Sequence, residues 1–197
     1  MREFTRSSLT IEVRNGPNAF DAPGLMDGVL AVYATAFGSP PWNESADRVA
    51  GYRTRAAAGA THEDFVLAVA RSAEGRVVGF STAWTTPDPF PTGRMYDDLA
   101  ATLDPVVIRD RLVGRTEVEE LAVLADVRGA GVGRRLLSEV TRGPTGGAWL
   151  VTAGFAEAAV RLYRSGGWES VGDVDGGEYP LTVFATPVRT AVASTAN

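Results

Sequence analysis

From Ser8 to Arg14 apolar residues (Leu9, Ile11, Val13) alternate with polar ones until Asn15-Gly16-Pro17 interrupts them, the pattern of a half-buried strand. The spacing then changes. Leu25, Met26, Val29, Leu30, Val32, Tyr33 and Phe37 recur at helical intervals, and Gly38-Ser39-Pro40-Pro41 ends the run. A second helix is predicted over Ser45 to Ala58, with Ser45 as N-cap. The strand-like runs Phe65 to Ala70 and Val77 to Trp84, joined by a short polar turn, predict an antiparallel hairpin. Pro87, Pro89 and Pro91 then open a stretch to Gly114 that admits only short helices, at Met95 to Leu103 and Pro105 to Leu112.

The second half reads as strand Glu117 to Val123, helix Gly133 to Thr141, strand Ala148 to Thr152 and helix Glu157 to Arg164. Closing strands follow at Trp168 to Gly172 and Tyr179 to Ala185. No repeat or linker breaks the series, so a single domain over 1–197 is expected, with 186–197 as a loose tail.

Composition narrows the function classes. A chain of 197 residues can bury a core without help from metal or disulfide. The absence of cysteine excludes a Cys nucleophile and thiolate metal sites, and fits a reducing compartment. Met1 to Thr10 carries no apolar run of signal-peptide length, and nowhere do about 18 apolar residues run uninterrupted. A soluble cytoplasmic protein with no membrane partner is therefore expected. With 19 Lys+Arg against 24 Asp+Glu, the net charge of -5 speaks against nucleic acid and modestly favours a cationic substrate. His62 is the only histidine, so no metal site is expected.

Gly129, Gly131 and Gly133 lie between a predicted strand and a predicted helix, where bare N–H groups and the helix N-terminus can converge on an anion. A glycine-rich turn without ligand is the alternative. The P-loop pattern fails, because Arg134 and Arg135 follow the last glycine in place of Lys and Ser or Thr. The dinucleotide fingerprint started at Gly129 meets Arg134 where its third glycine belongs.

Arg128-Gly129-Ala130-Gly131-Val132-Gly133 reads R-x-x-G-x-G, preceded by Leu121-Ala122-Val123 and followed by Arg134-Arg135-Leu136-Leu137. This segment resembles the central motif of the GNAT superfamily of N-acetyltransferases. Ala159 to Trp168 is similar to the family's A-x-x-L-Y-x-x-x-G-F segment, with Trp168 in place of Phe. The order of elements over about Ile11 to Val183 also follows the family. The resemblance implies a mixed α/β (α+β) fold whose largely antiparallel central sheet is flanked by helices. It implies acetyl-CoA as cofactor, held by Arg128, Gly129, Ala130, Gly131, Val132, Gly133 and Arg134 around the pyrophosphate. The pantetheine arm would lie along Leu121, Ala122 and Val123, with the Leu121 N–H facing the thioester oxygen.

Acetylation of an amine needs a base, an oxyanion donor and an acid for the departing thiolate. The resemblance makes Tyr163 the candidate acid, with core packing as the alternative. Glu119 and then Glu117 are candidate bases: simple alternation puts both on the face of Leu121 and Glu120 on the other, and a solvated acidic edge is the alternative. The implied acceptor walls are 38–44 and 87–114, in which Trp42 could pack on the acceptor and Glu44 attract its ammonium. The expected activity is direct acetyl transfer, in a ternary complex, to a small-molecule or peptide amine. A catalytically inactive acyl-CoA sensor is the rival reading, and monomer and homodimer are both left open.

Overall fold

The structure, a computed structural model, describes residues 9–93 and 95–187. The chain runs through β1 (Thr10–Asn15), α1 (Leu25–Phe37), α2 (Ala46–Gly59), β2 (Val66–Arg71), β3 (Val77–Thr85), α3 (Tyr96–Thr102) and α4 (Pro105–Val107). A π-helical turn (Ile108–Leu112) leads into β4 (Thr116–Val123). Then come α5 (Val132–Val140), β5 (Ala148–Ala153), α6 (Glu157–Ser165), β6 (Glu169–Asp175) and β7 (Pro180–Ala185). The expected helix over Leu25 to Phe37 forms with those bounds, and Ser45 caps α2 by accepting the Arg48 N–H at 3.3 Å.

The seven strands form one sheet in the order β1-β2-β3-β4-β5-β7-β6. Every pairing is antiparallel except β4 with β5. That parallel ladder holds only Thr116 opposite Ala148 and Glu117 opposite Trp149, after which the two strands part. The fold is therefore the mixed, largely antiparallel sheet flanked by helices that the resemblance implies.

Side chains show which helix covers which face. On one face the Tyr52 ring of α2 meets Phe80 of β3 at 5.9 Å, and α1 comes so close that a Cβ on Gly28 would stand 2.7 Å from Val77. On the other face Leu136 of α5 fills the space over Gly79. Leu162 of α6 packs beside α5, 3.4 Å from where a Gly133 Cβ would sit. Glycines at 28, 79 and 133 thus set how closely helix and sheet approach. A second apolar cluster, with Leu99, Leu112, Trp149 and Val183, joins α3 and the π turn to the strands beyond the parting.

The expected loose tail, 186–197, begins with a residue that the structure holds in place. Thr186 is tied to β5, its N–H donating to the Ala148 carbonyl at 2.8 Å and its hydroxyl accepting the Ala148 N–H at 2.8 Å. The rest of that tail, 188–197, lies outside the described residues.

Candidate active site

A cleft of about 610 Å³ opens where β4 and β5 part. Leu121, Ala122, Val123, Arg128, Gly129, Gly131, Val132, Gly133 and Arg134 line it, with Trp42 and Phe155 at another wall. Of the residues assigned to the cofactor from sequence, Ala130 alone is not in this lining; it is half-buried against the core.

At the glycine end, Gly129 and Gly131 both have φ 78°, a conformation that favours glycine, and a Cβ on either would meet nothing within 4 Å. Gly131 is the N-cap of α5 and offers no side chain, so the first N–H groups of that nine-residue helix have neither an intrahelical acceptor nor a side-chain cap. Bare backbone donors and the positive end of the helix dipole therefore meet at the cleft, which suits a pyrophosphate.

The strand end supplies a second set of groups. The Leu124 N–H bonds the Val78 carbonyl, and the Glu120 carbonyl accepts from the Ser81 hydroxyl, so the backbone groups of even-numbered residues point to β3. By alternation those of Leu121 and Val123 face the parting. The Val123 carbonyl is already met there by Arg128 Nε at 3.0 Å. Arg128 thus shapes the cleft by bracing the strand edge.

The carboxylates depart from simple alternation. Glu120 lies opposite Thr82 and Val118 opposite Ala83, which leaves Glu119 as the extra residue of a β-bulge. The bulge turns Glu119 away from the face of Leu121: its Oε2 accepts from Thr82 Oγ1 at 3.4 Å and lies 3.6 Å from a Cβ built on Gly59 of α2. Glu117, opposite Trp84, is on that same α2 face. The bulge therefore collects Glu117, Glu119 and Glu120 on one face, with Leu121 on the other.

The three have different surroundings. Glu117 is 1% exposed and receives the Tyr96 hydroxyl at 2.9 and 2.8 Å and the Thr86 hydroxyl at 3.3 Å. Trp149 Nε1 in turn donates to Thr86 at 2.7 Å. Burial above all raises the phenol pKa values of Tyr33, Tyr52, Tyr163 and Tyr179, and the charge of Glu120 adds to each, least at Tyr179.

Tyr163 is buried between Trp168 (5.9 Å) and Phe184 (5.8 Å), and burial first, then Glu120, raises its phenol well above the usual range. Trp42 lies in the expected wall, its ring 5.3 Å from Phe155 and 6.4 Å from Tyr179. Glu44 is not in the cleft lining. Its carboxylate accepts the Tyr33 hydroxyl at 2.8 Å and faces Arg48 at 3.6 Å, so it braces the turn between α1 and α2.

Sequence reasoning missed the bulge, the Tyr96–Glu117 contact and the aromatic wall of Phe155 and Tyr179. An exposed-looking Phe in a predicted loop was the available signal for the last of these.

A strand edge freed from its parallel neighbour, with an anion cradle at its end, defines an α+β protein built to hold a long phosphate-bearing ligand along a strand. The sequence pattern of the acetyltransferase (GNAT) family matches residues 28–168, well over half of the chain, and the protein belongs to that family. Acetyl-CoA is the family's co-substrate.

The fold is similar to that of the ribosomal-protein-S18-alanine N-acetyltransferase from Escherichia coli, at 14% identity and TM-score 0.59, with 95% of this chain and 100% of that one covered. It is similar also to the PaiA N-acetyltransferase from Thermoplasma acidophilum in complex with coenzyme A, at 11% identity and TM-score 0.58, covering 90% and 98%. A third likeness is to Arabidopsis thaliana NAA60 in complex with a bisubstrate analogue, at 16% identity and TM-score 0.54, covering 89% and 97%. At such identities these likenesses show the fold. No curated protein sequence matches the chain significantly. No helix among the described residues is long and apolar enough to cross a membrane.

Proposed function

We propose that this single-domain protein is an N-acetyltransferase that moves the acetyl group of acetyl-CoA to a primary amine of a small molecule or peptide, directly and within a ternary complex. The observation that carries the reading is that the bulge gathers carboxylates on β4 directly before Leu121, the first residue of that strand to line the cleft. Two of the similar structures are named for alanine N-acetylation and for a bisubstrate analogue, which supports an amine or peptide acceptor. The cysteine-free sequence is compatible with the cytoplasm.

Acetyl-CoA supplies the acetyl group as a thioester: the amine nitrogen bonds to the carbonyl carbon, the C–S bond breaks, and the thiolate needs a proton. The Leu121 N–H faces the parting and is the donor for the developing oxyanion. A carboxylate of the bulge takes the ammonium proton. Glu119 and Glu120 are better placed than Glu117, which is buried among hydroxyl donors. Tyr163, kept protonated by burial and by Glu120, gives its proton to the thiolate and regains one from the acylated nitrogen, which sheds its second proton as the amide forms. None of these roles calls on nucleic acid, a membrane or a second copy of the chain.

A panel of small-molecule and N-terminal peptide amines with acetyl-CoA, read by thiol release and by the mass of the product, tests the reading. Amine-dependent thiol release with a 42 Da gain on nitrogen is expected. Tight acetyl-CoA binding with no turnover on any amine would instead support the sensor.

A further inference from the structure

Of the described residues that line the cleft, Phe155 is the one large apolar side chain left exposed, at 39%. A lone exposed ring is ordinary, but this one is not alone. Its ring meets Trp42 at 5.3 Å and Tyr179 at 4.8 Å, and Trp42 and Tyr179 stand 6.4 Å apart. The three cross at 70°, 77° and 65°, the edge-to-face packing that aromatic rings prefer. Each comes from a different turn: Trp42 after α1, Phe155 after β5, Tyr179 before β7. Phe37, at 5.4 Å, ties Trp42 to the end of α1.

The charged groups around these rings already have partners. Glu44 and Glu178 both face Arg48, at 3.6 and 3.8 Å, so a second ammonium on an acceptor would have to displace that guanidinium. Among the described lining residues, Arg128 bonds the Val123 carbonyl, Arg134 the Ser165 hydroxyl and Arg161 the Glu157 carboxylate. An acceptor's own carboxylate therefore meets no uncommitted cation there. An uncharged apolar group displaces nothing, and packing on Phe155 removes exposed apolar surface from water.

We propose that Trp42, Phe155 and Tyr179 form the acceptor-specificity surface, and that the preferred acceptor is a primary amine joined by a short chain to an uncharged aromatic or large aliphatic group. The proposal rests on the N-acetyltransferase reading above. Trp42, Phe155 and Leu121 line one cleft of about 610 Å³, an ordinary size for a ligand site. A group packed on the rings and an amine at the strand edge thus belong to one acceptor. That group is either part of a small amine or the first side chain of a peptide.

The test measures kcat/KM at saturating acetyl-CoA for 2-phenylethylamine, ethylamine, phenylalanine and 1,4-diaminobutane, and for two peptides that differ only in a first residue of phenylalanine or glycine. 2-Phenylethylamine should exceed ethylamine by about tenfold to a hundredfold, the worth of burying one phenyl group. Phenylalanine and 1,4-diaminobutane should fall below 2-phenylethylamine. Of 2-phenylethylamine and the phenylalanine peptide, the faster shows which kind of molecule carries the group. In Phe155→Ala the ratio of 2-phenylethylamine to ethylamine should drop by about tenfold. Damage to the fold or to cofactor binding would slow both amines alike and leave that ratio in place. Phe155→Leu keeps an apolar side chain and should retain most of the preference, which carries the comparison if the alanine variant melts lower. A wild type with no preference for the phenyl group in either amines or peptides, or one that prefers 1,4-diaminobutane, overturns the proposal. So does a ratio unchanged in Phe155→Ala. Wild-type protein inactive on every amine sinks this inference and the N-acetyltransferase reading together; an active wild type indifferent to the phenyl group sinks this one alone.

Discussion

Tyr163 packs in the core and is also the acid of the proposed transfer. Its ring completes a cluster with Trp168 and Phe184, while burial first and the charge of Glu120 second hold its hydroxyl protonated. Tyr163→Phe keeps the ring and should leave acetyl-CoA affinity nearly unchanged while lowering turnover by about 10²-fold, the lower range for a lost general acid. Stopped-flow or steady-state assays at saturating co-substrate check this, and an unchanged chemical step returns Tyr163 to the core. The direction of its pKa fixes the pH behaviour. The folded value is raised above the ordinary phenol value of about 10, so the acid form persists to that pH and the wild-type rate should show no alkaline fall from Tyr163 below it. The same sign makes the contribution of the buried phenol to folding present below about pH 10 and lost as the pH rises through the folded value.

The bulge in β4 is the element that decides the site. Without the extra residue at Glu119, alternation would send that carboxylate to the face of Leu121; with it, three carboxylates stand on the face covered by α2. Glu117 adds a second duty, tying α3 through Tyr96 to the last residue that pairs with β5. Glu117→Ala should therefore lower stability by about 2–4 kcal/mol, because it removes the buried acceptor of the Tyr96 and Thr86 hydroxyls. Glu119→Ala, at a half-buried position while Glu117 is fully buried, should cost much less. Thermal melts of the two variants read the difference directly, and equal losses would contradict this division of roles.

Across the whole molecule, the parting of β4 from β5 is what turns a sheet into a binding site, since it frees a strand edge inside the protein rather than at its rim. Acetyl-CoA at about 100 times its dissociation constant should stabilise the folded protein by roughly 2.7 kcal/mol, seen as a rise in melting temperature. Gly131→Glu should abolish the rise. A side chain at φ 78° is strained, and the carboxylate would project into open space where the pyrophosphate should lie. A full ligand-induced shift in that variant would move the phosphate site elsewhere.

Periodicity and turn chemistry determined the elements and their order, because Leu25 to Phe37, the β2–β3 hairpin and the strand–glycine loop–helix unit are each encoded by neighbours in sequence. The glycine loop that lines the cleft could be located for the same reason: its groups lie within a few residues of one another, and glycine permits a close backbone approach. The facing of the carboxylates was not legible. A bulge in β4 is a mismatch in register with β3, and two strands separated by more than 30 residues meet only in the fold. Likewise, Glu44 reads as a loop carboxylate open to an amine until α1 brings Tyr33 to it. The sequence by itself determined which groups are present and which segments hold them. Only tertiary packing decided which carboxylates share a face, because burial and charge proximity depend on contacts that no local pattern contains.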